Sequence, residues 1–215
     1  MNTQTHLLLA SALFARPGPQ NRLRNTAVIS GAVLPDAAIF AMFGWSKLVG
    51  APESEVWSSW YFNPPWLTVI DWMNSLPLFG AILLVALVLP QHRPGFRTLS
   101  SLLLLFALAA ITHLLADLPL HVDDGHAHFV PLSGWRFVSP VSYWDPRHHG
   151  DIFSLLELAL GLLLIVILWR RFRTLPVRAL LLLAVIAYAV PYVWFVLLAG
   201  HSDHIAALLI AAVIT

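Results

Sequence analysis

The chain of 215 residues contains no cysteine. That absence excludes structural disulfides, thiolate zinc sites and cysteine nucleophiles, so any metal must be held by His, Asp, Glu or Asn. Charge is scarce as well. Asp, Glu, Lys and Arg together make up 11% of the chain, while hydrophobic residues make up 59% and the mean hydropathy is +0.77. A soluble domain carries about a quarter charged residues. One soluble core of this size cannot bury so much apolar surface, and the chain reads as membrane-integral. Net charge is only +1, and the basic residues lie in loops between apolar runs, so no nucleic-acid partner is expected. No Gly-rich phosphate loop, G-x-S-x-G elbow or H-E-x-x-H helix occurs, which argues against common nucleotide, serine-hydrolase and zincin chemistries. The first six residues hold no Lys or Arg, so residues 5–15 read as a retained short helix, not as a signal peptide.

What charge there is has been sorted. Nine of the 12 Lys and Arg fall in three short segments, Arg16/Arg22/Arg24, Arg93/Arg97 and Arg170/Arg171/Arg173/Arg178, none of which contains an acid. All 11 acids, and nine of the 10 His, lie elsewhere. Apolar runs at about 26–46, 75–91, 99–118, 152–170 and 178–200 approach the roughly 17–25 residues a span requires. The arginine segments follow alternate runs, so the positive-inside rule makes them cytoplasmic. The long loops 47–74 and 119–151 are then periplasmic, together with seven of the nine Trp (45, 57, 60, 66, 72, 135 and 144). Trp favours the membrane–water interface, so the stretch Trp57–Trp66 is expected along the outer leaflet. The expected fold is all-α: a polytopic membrane helix bundle of about five spanning helices. Short N- and C-terminal segments complete a single domain over 1–215 in a bacterial inner membrane. Whether 203–215 spans is left open.

Several constellations could carry chemistry. His113 and Asp117 stand at i, i+4, on one helix face, at the end of an apolar run before Pro119. They are either a functional site or a mutually satisfied pair, since an unpaired ionisable group in lipid is costly. Asp36 sits mid-span behind Pro35, whose missing N–H frees a carbonyl near Gly31. His6 opens the first apolar run and falls on the same side as Asp117. The loop beyond is dense in His121, Asp123, Asp124, His126, His128, Asp145, His148, His149 and Asp151. Such density suits zinc or another borderline divalent ion, manganese or iron included. Asp123, Asp124 and His126 read more simply as parts of a solvated loop. Asp151 reads as a helix N-cap or a site residue, Asn74 and Ser75 as capping residues, and Asp71 as a candidate site residue. Glu157, two turns into its span, needs a partner. His201, Asp203 and His204 form a weaker cluster.

The early His6, Leu34–Pro35–Asp36, His113–Asp117, the Phe129–Val130–Pro131–Leu132–Ser133 and Trp135–Arg136–Phe137 loop, and Asp151 resemble the YdjM-like family. Its members are described as LexA-binding, inner-membrane-associated metal-dependent hydrolases. Asp71–Trp72–Met73–Asn74–Ser75–Leu76 stands where that family carries His-Arg-Gly-x-Thr-His-Ser. The resemblance implies a metal-dependent hydrolase. His6, Asp36, His113 and Asp117 would hold one or two divalent ions, and Asp71 or Asp151 would complete a second metal site or act as general base. An amphipathic substrate would enter from the outer leaflet. A cation or proton transporter or sensor using Asp36, His113, Asp117, Glu157 and Pro191 is the alternative. So is a non-catalytic membrane adaptor whose arginine loops contact a soluble partner or anionic lipid.

Overall fold

A computed structural model describes residues 1–191, and His201, Asp203, His204 and the segment 203–215 lie outside them. The described residues are helical, with no strand among them. The helices are α1 (Thr3–Phe14), α2 (Arg22–Val49), α3 (Glu53–Ser58), α4 (Trp66–Met73), α5 (Leu76–Val88), α6 (Pro94–Asp117), α7 (Gly150–Arg171) and α8 (Leu175–Pro191). Contacts divide the chain into two units, Met1–Ser142 and Tyr143 onward.

Three helical stretches, Pro19–Val49, Pro94–Leu120 and Gly150–Arg171, are long and apolar enough to cross a membrane. α4 and α5 qualify as a fourth only if counted as one span bent by 41°. Among the described residues the count is therefore three, or up to four, where the sequence suggested about five. At 13 residues α5 is too short to cross alone, because a helix rises only about 1.5 Å per residue. α8 is a shorter apolar helix, and the end of the fifth expected run falls beyond the described residues.

In the first unit α2 packs on α1, α4 and α6, and α5 packs on α6. The seam between α1, α2 and α6 is built from small residues: Ala10, Ala32 and Ala109, with Val28 and Leu105. Lipid supplies no hydrophobic drive between helices, so close packing over small residues has to hold them together. Gly31 marks the tightest approach. A Cβ there would lie 2.1 Å from the Phe106 carbonyl oxygen. Leucines and valines such as Leu23, Leu48, Leu84, Leu87 and Val88 face outward, as expected of helices solvated by lipid.

The region 47–74 is not a loop. α2 runs on to a left-handed C-cap at Gly50, and α3 and α4 follow, burying Val56, Tyr61 and Ile70 against Ala38 and Met42 of α2. The α4–α5 break at Asn74 and Ser75 is closed by the 119–142 region. The Leu76 amide donates to the His128 carbonyl (2.8 Å), and His128 Nδ1 donates to the Asn74 carbonyl (3.0 Å). Ser75 caps α5, accepting from the Leu78 amide at 3.1 Å, which is the role read from sequence. Such a break is tolerated at membrane depth only when its backbone groups find partners inside the protein.

In the second unit α7 packs on α8, with Gly161 directly beneath Tyr188. Asp151 is exposed in the first turn of α7. It is not the N-cap: that position belongs to His149, in the left-handed region at φ 64°. Glu157 is buried within this unit.

Candidate metal centre

Three elements bring four side chains together at the end of the first unit remote from Arg16, Arg22, Arg93 and Arg97. His6 comes from the first turns of α1, Asp36 from the middle of α2, and His113 and Asp117 from the last turns of α6. The rise of a helix puts Asp36 about 20 Å along α2 from Arg22. Ligand atoms of His6, His113 and Asp117 all lie within 4.8 Å of one another, and all three residues are buried.

Each contact has a local cause. His113 Nδ1 donates to the Ala32 carbonyl at 2.7 Å. Pro35 cannot donate, so the α2 ladder is interrupted at this turn, and the carbonyl His113 uses is one residue on from the one anticipated at Gly31. With Nδ1 carrying the proton, Nε2 presents its lone pair 3.2 Å from Asp117 Oδ2 and 3.5 Å from Asp36 Oδ1. Orientation of a ligating imidazole through its other nitrogen is typical of metal centres. His113 Nε2 faces two carboxylates and has no hydrogen-bond partner among the described residues, a position that calls for a cation, whether proton or metal. Asp36 Oδ2 accepts from the Thr3 hydroxyl.

Asp117 is the hub. Its Oδ1 lies 3.0 Å from His6 Nε2 and 3.6 Å from His121 Nε2, and also accepts from the Met1 amine. The His6 and His113 rings stack with centroids 3.6 Å apart and planes 12° from parallel. The donor set of imidazoles and carboxylates suits a borderline divalent ion, and the residues present fit one.

Beyond α6, a 3₁₀ turn over Leu118–Leu120 carries the chain round so that His121 stays beside Asp117. His121 Nδ1 meets Asp124 Oδ1 at 3.1 Å. Burial alone would push its pKa down, but Asp117 and Asp124 outweigh burial and raise it to about 9. His126 and His128 are buried too, contrary to the solvated loop expected around His126. Asp124 is half-buried, and only Asp123 of that group is exposed. Burial, with the neighbouring His121 charge, drives His126 down to about 3, and burial likewise lowers His128.

Asp71 and Asp151 are not among the converging ligand atoms. Asp71 Oδ2 takes Arg136 at 2.5 Å and its Oδ1 accepts from the Ala127 amide at 3.0 Å, so it fastens the loop to α4. Asp151 belongs to the second unit. His121, one of many residues in the dense loop, is the one the structure brings to Asp117; its sequence signal is that His113, Asp117 and His121 recur every fourth position, across Pro119. No protein-family model, curated protein or solved structure matches this chain.

Proposed function

We propose that this chain is a membrane-embedded metal-dependent hydrolase of the YdjM-like kind. Its centre would be formed by His6, His113 and Asp117 with Asp36, near the non-cytoplasmic face of a bacterial inner membrane. The observation that carries this reading is the convergence of buried His6, His113 and Asp117 with half-buried Asp36, from α1, α2 and α6. A divalent ion held there, zinc first and manganese or iron next, supplies Lewis acidity and a water acidic enough to attack at neutral pH. The chain's own residues do the rest. Ala32 fixes the His113 tautomer, the Thr3 hydroxyl steadies Asp36, and the apolar helix seam keeps bulk water from the buried side. An exposed aromatic rim of Trp57, Trp72 and Trp135 suits an amphipathic ester arriving from the leaflet, such as a phospholipid or a lipid-linked phosphoester. Asp71, held by Arg136, is the carboxylate proposed for proton transfer.

The test is metal content of the detergent-purified protein beside His113→Ala and Asp117→Ala, followed by assay on lipid phosphoesters. We expect near-stoichiometric metal in the wild type, lost in both variants, and ester cleavage that tracks the metal. A folded wild type that takes up no divalent ion would sink the hydrolase. Cation or proton flux in liposomes without ester cleavage would favour the transport reading, which draws on the depth of Asp36 within α2.

A further inference from the structure

The arrangement around Asp117 argues for two ions in place of one. Two imidazoles ligating a single tetrahedral ion through bonds of about 2.0–2.1 Å hold their ring centroids about 5 Å apart. His6 and His113 are stacked at 3.6 Å, too close and too parallel to share an ion without opening. Both rings nevertheless aim Nε2 at the same carboxylate, His6 at Oδ1 and His113 at Oδ2. Parallel rings in that register direct their Nε2 atoms side by side, to two points separated by about the stacking distance. Ions in two-metal hydrolytic sites lie about 3.5–4 Å apart, which matches.

The remaining donors divide the same way. On the Oδ1 side stand His6 Nε2 at 3.0 Å and His121 Nε2 at 3.6 Å, with the Met1 amine on the same oxygen in the place a metal cation would take. On the Oδ2 side stands His113 Nε2 at 3.2 Å, with Asp36 Oδ1 3.5 Å beyond it. Donors around one tetrahedral ion lie about 3.4 Å from each other, and these four spacings bracket that value. His121 is further steadied through Nδ1 by Asp124, the carboxylate–histidine arrangement common behind metal-bound imidazoles. The geometry points to a dinuclear centre in which Asp117 bridges two divalent ions, one held by His6 and His121 and the other by His113 and Asp36. This rests on the metal-dependent reading above and adds to it the ion count, the division of ligands and the role of His121.

The experiment is the metal-to-protein ratio of detergent-purified protein, saturated with zinc and then desalted. Wild type is compared with His121→Ala and Asp36→Asn, each checked for folding by circular dichroism and size-exclusion elution. Two equivalents are expected in wild type and one in each variant. Wild type loaded with manganese needs no variant: its electron paramagnetic resonance spectrum is expected to show an exchange-coupled pair. One equivalent in wild type, unchanged by His121→Ala and with an uncoupled manganese signal, overturns the dinuclear centre and leaves the metal-dependent reading standing. No bound ion overturns both.

Discussion

His126 shows how one buried imidazole sets a pH limit. Its folded pKa of about 3 lies below the ordinary 6.5, so below pH 6.5 the unfolded chain takes up the proton more readily than the folded one. The stability that depends on a neutral His126 is therefore intact above pH 6.5 and lost as pH falls from there toward about 3. The loss is at most about 1.4 kcal/mol per pH unit for the single proton involved. His121 works in the opposite direction: raised to about 9, its contribution is full below 6.5 and lost as pH rises through 9. His126→Gln is expected to flatten the acid limb of a melting-temperature profile taken in detergent and leave the alkaline limb in place. An unaltered acid limb would show that His126 is not what holds it. The residue scale is also where the sequence was least legible. His113 and Asp117 could be paired by counting along one helix. Asp71 with Arg136, and Thr3 with Asp36, are long-range pairs that no local pattern announces.

The helices themselves were largely written in the apolar runs, because an all-round hydrophobic stretch in a chain this poor in charge has few other uses. Hydropathy misjudged the extent of two segments. It missed α3 and α4 inside 47–74, where Trp and Pro suggested a loop at the interface. It also gave α5 more length than its 13 residues. Which helix meets which was hidden, since Gly31 reads like any glycine until Phe106 is found against it. Gly31→Ala would press a Cβ to 2.1 Å from the Phe106 carbonyl oxygen and 3.1 Å from the Ala109 Cβ. That overpacking should cost about 1–3 kcal/mol, and metal affinity should weaken with it, because α2 also carries Asp36 and the Ala32 carbonyl that aims His113. Gly44, also on α2, has no atom of the described residues within 4 Å of its would-be Cβ. Gly44→Ala should raise stability by about 0.5–1 kcal/mol through helix propensity alone. Thermal unfolding of the two variants in one detergent makes the comparison, and equal shifts would refute the tight α2–α6 seam.

Across the whole molecule the sorted charges acquire a structural counterpart. Arg24, near the start of α2, donates to Ser101, one turn beyond Arg97 on α6, at the opposite end of α2 and α6 from the candidate metal centre. The three cations found among the acids are each paired within their own unit: Lys47 with Glu53, Arg136 with Asp71, and Arg147 with Asp145. Positive-inside bias counts Lys and Arg close to the ends of spans, so the arginine end is expected in the cytoplasm. A reporter fused after Arg97 should read as cytoplasmic, and one inserted at Gly134 as external. The reverse result would turn the proposed access of substrate around.

The irregular segment after α6 has a further consequence. It is held to the helical frame by its own backbone at Ala127 and His128, by Arg136 bonded to Gly125 and Asp71, and by the Ser139 amide on the His121 carbonyl. A segment fastened at so many points does not flutter residue by residue. It is expected to open as one cooperative unit together with the α4–α5 break it closes. Amide hydrogens of the segment and of the break should then exchange together, at one rate set by that shared opening, and not as a graded series along the chain.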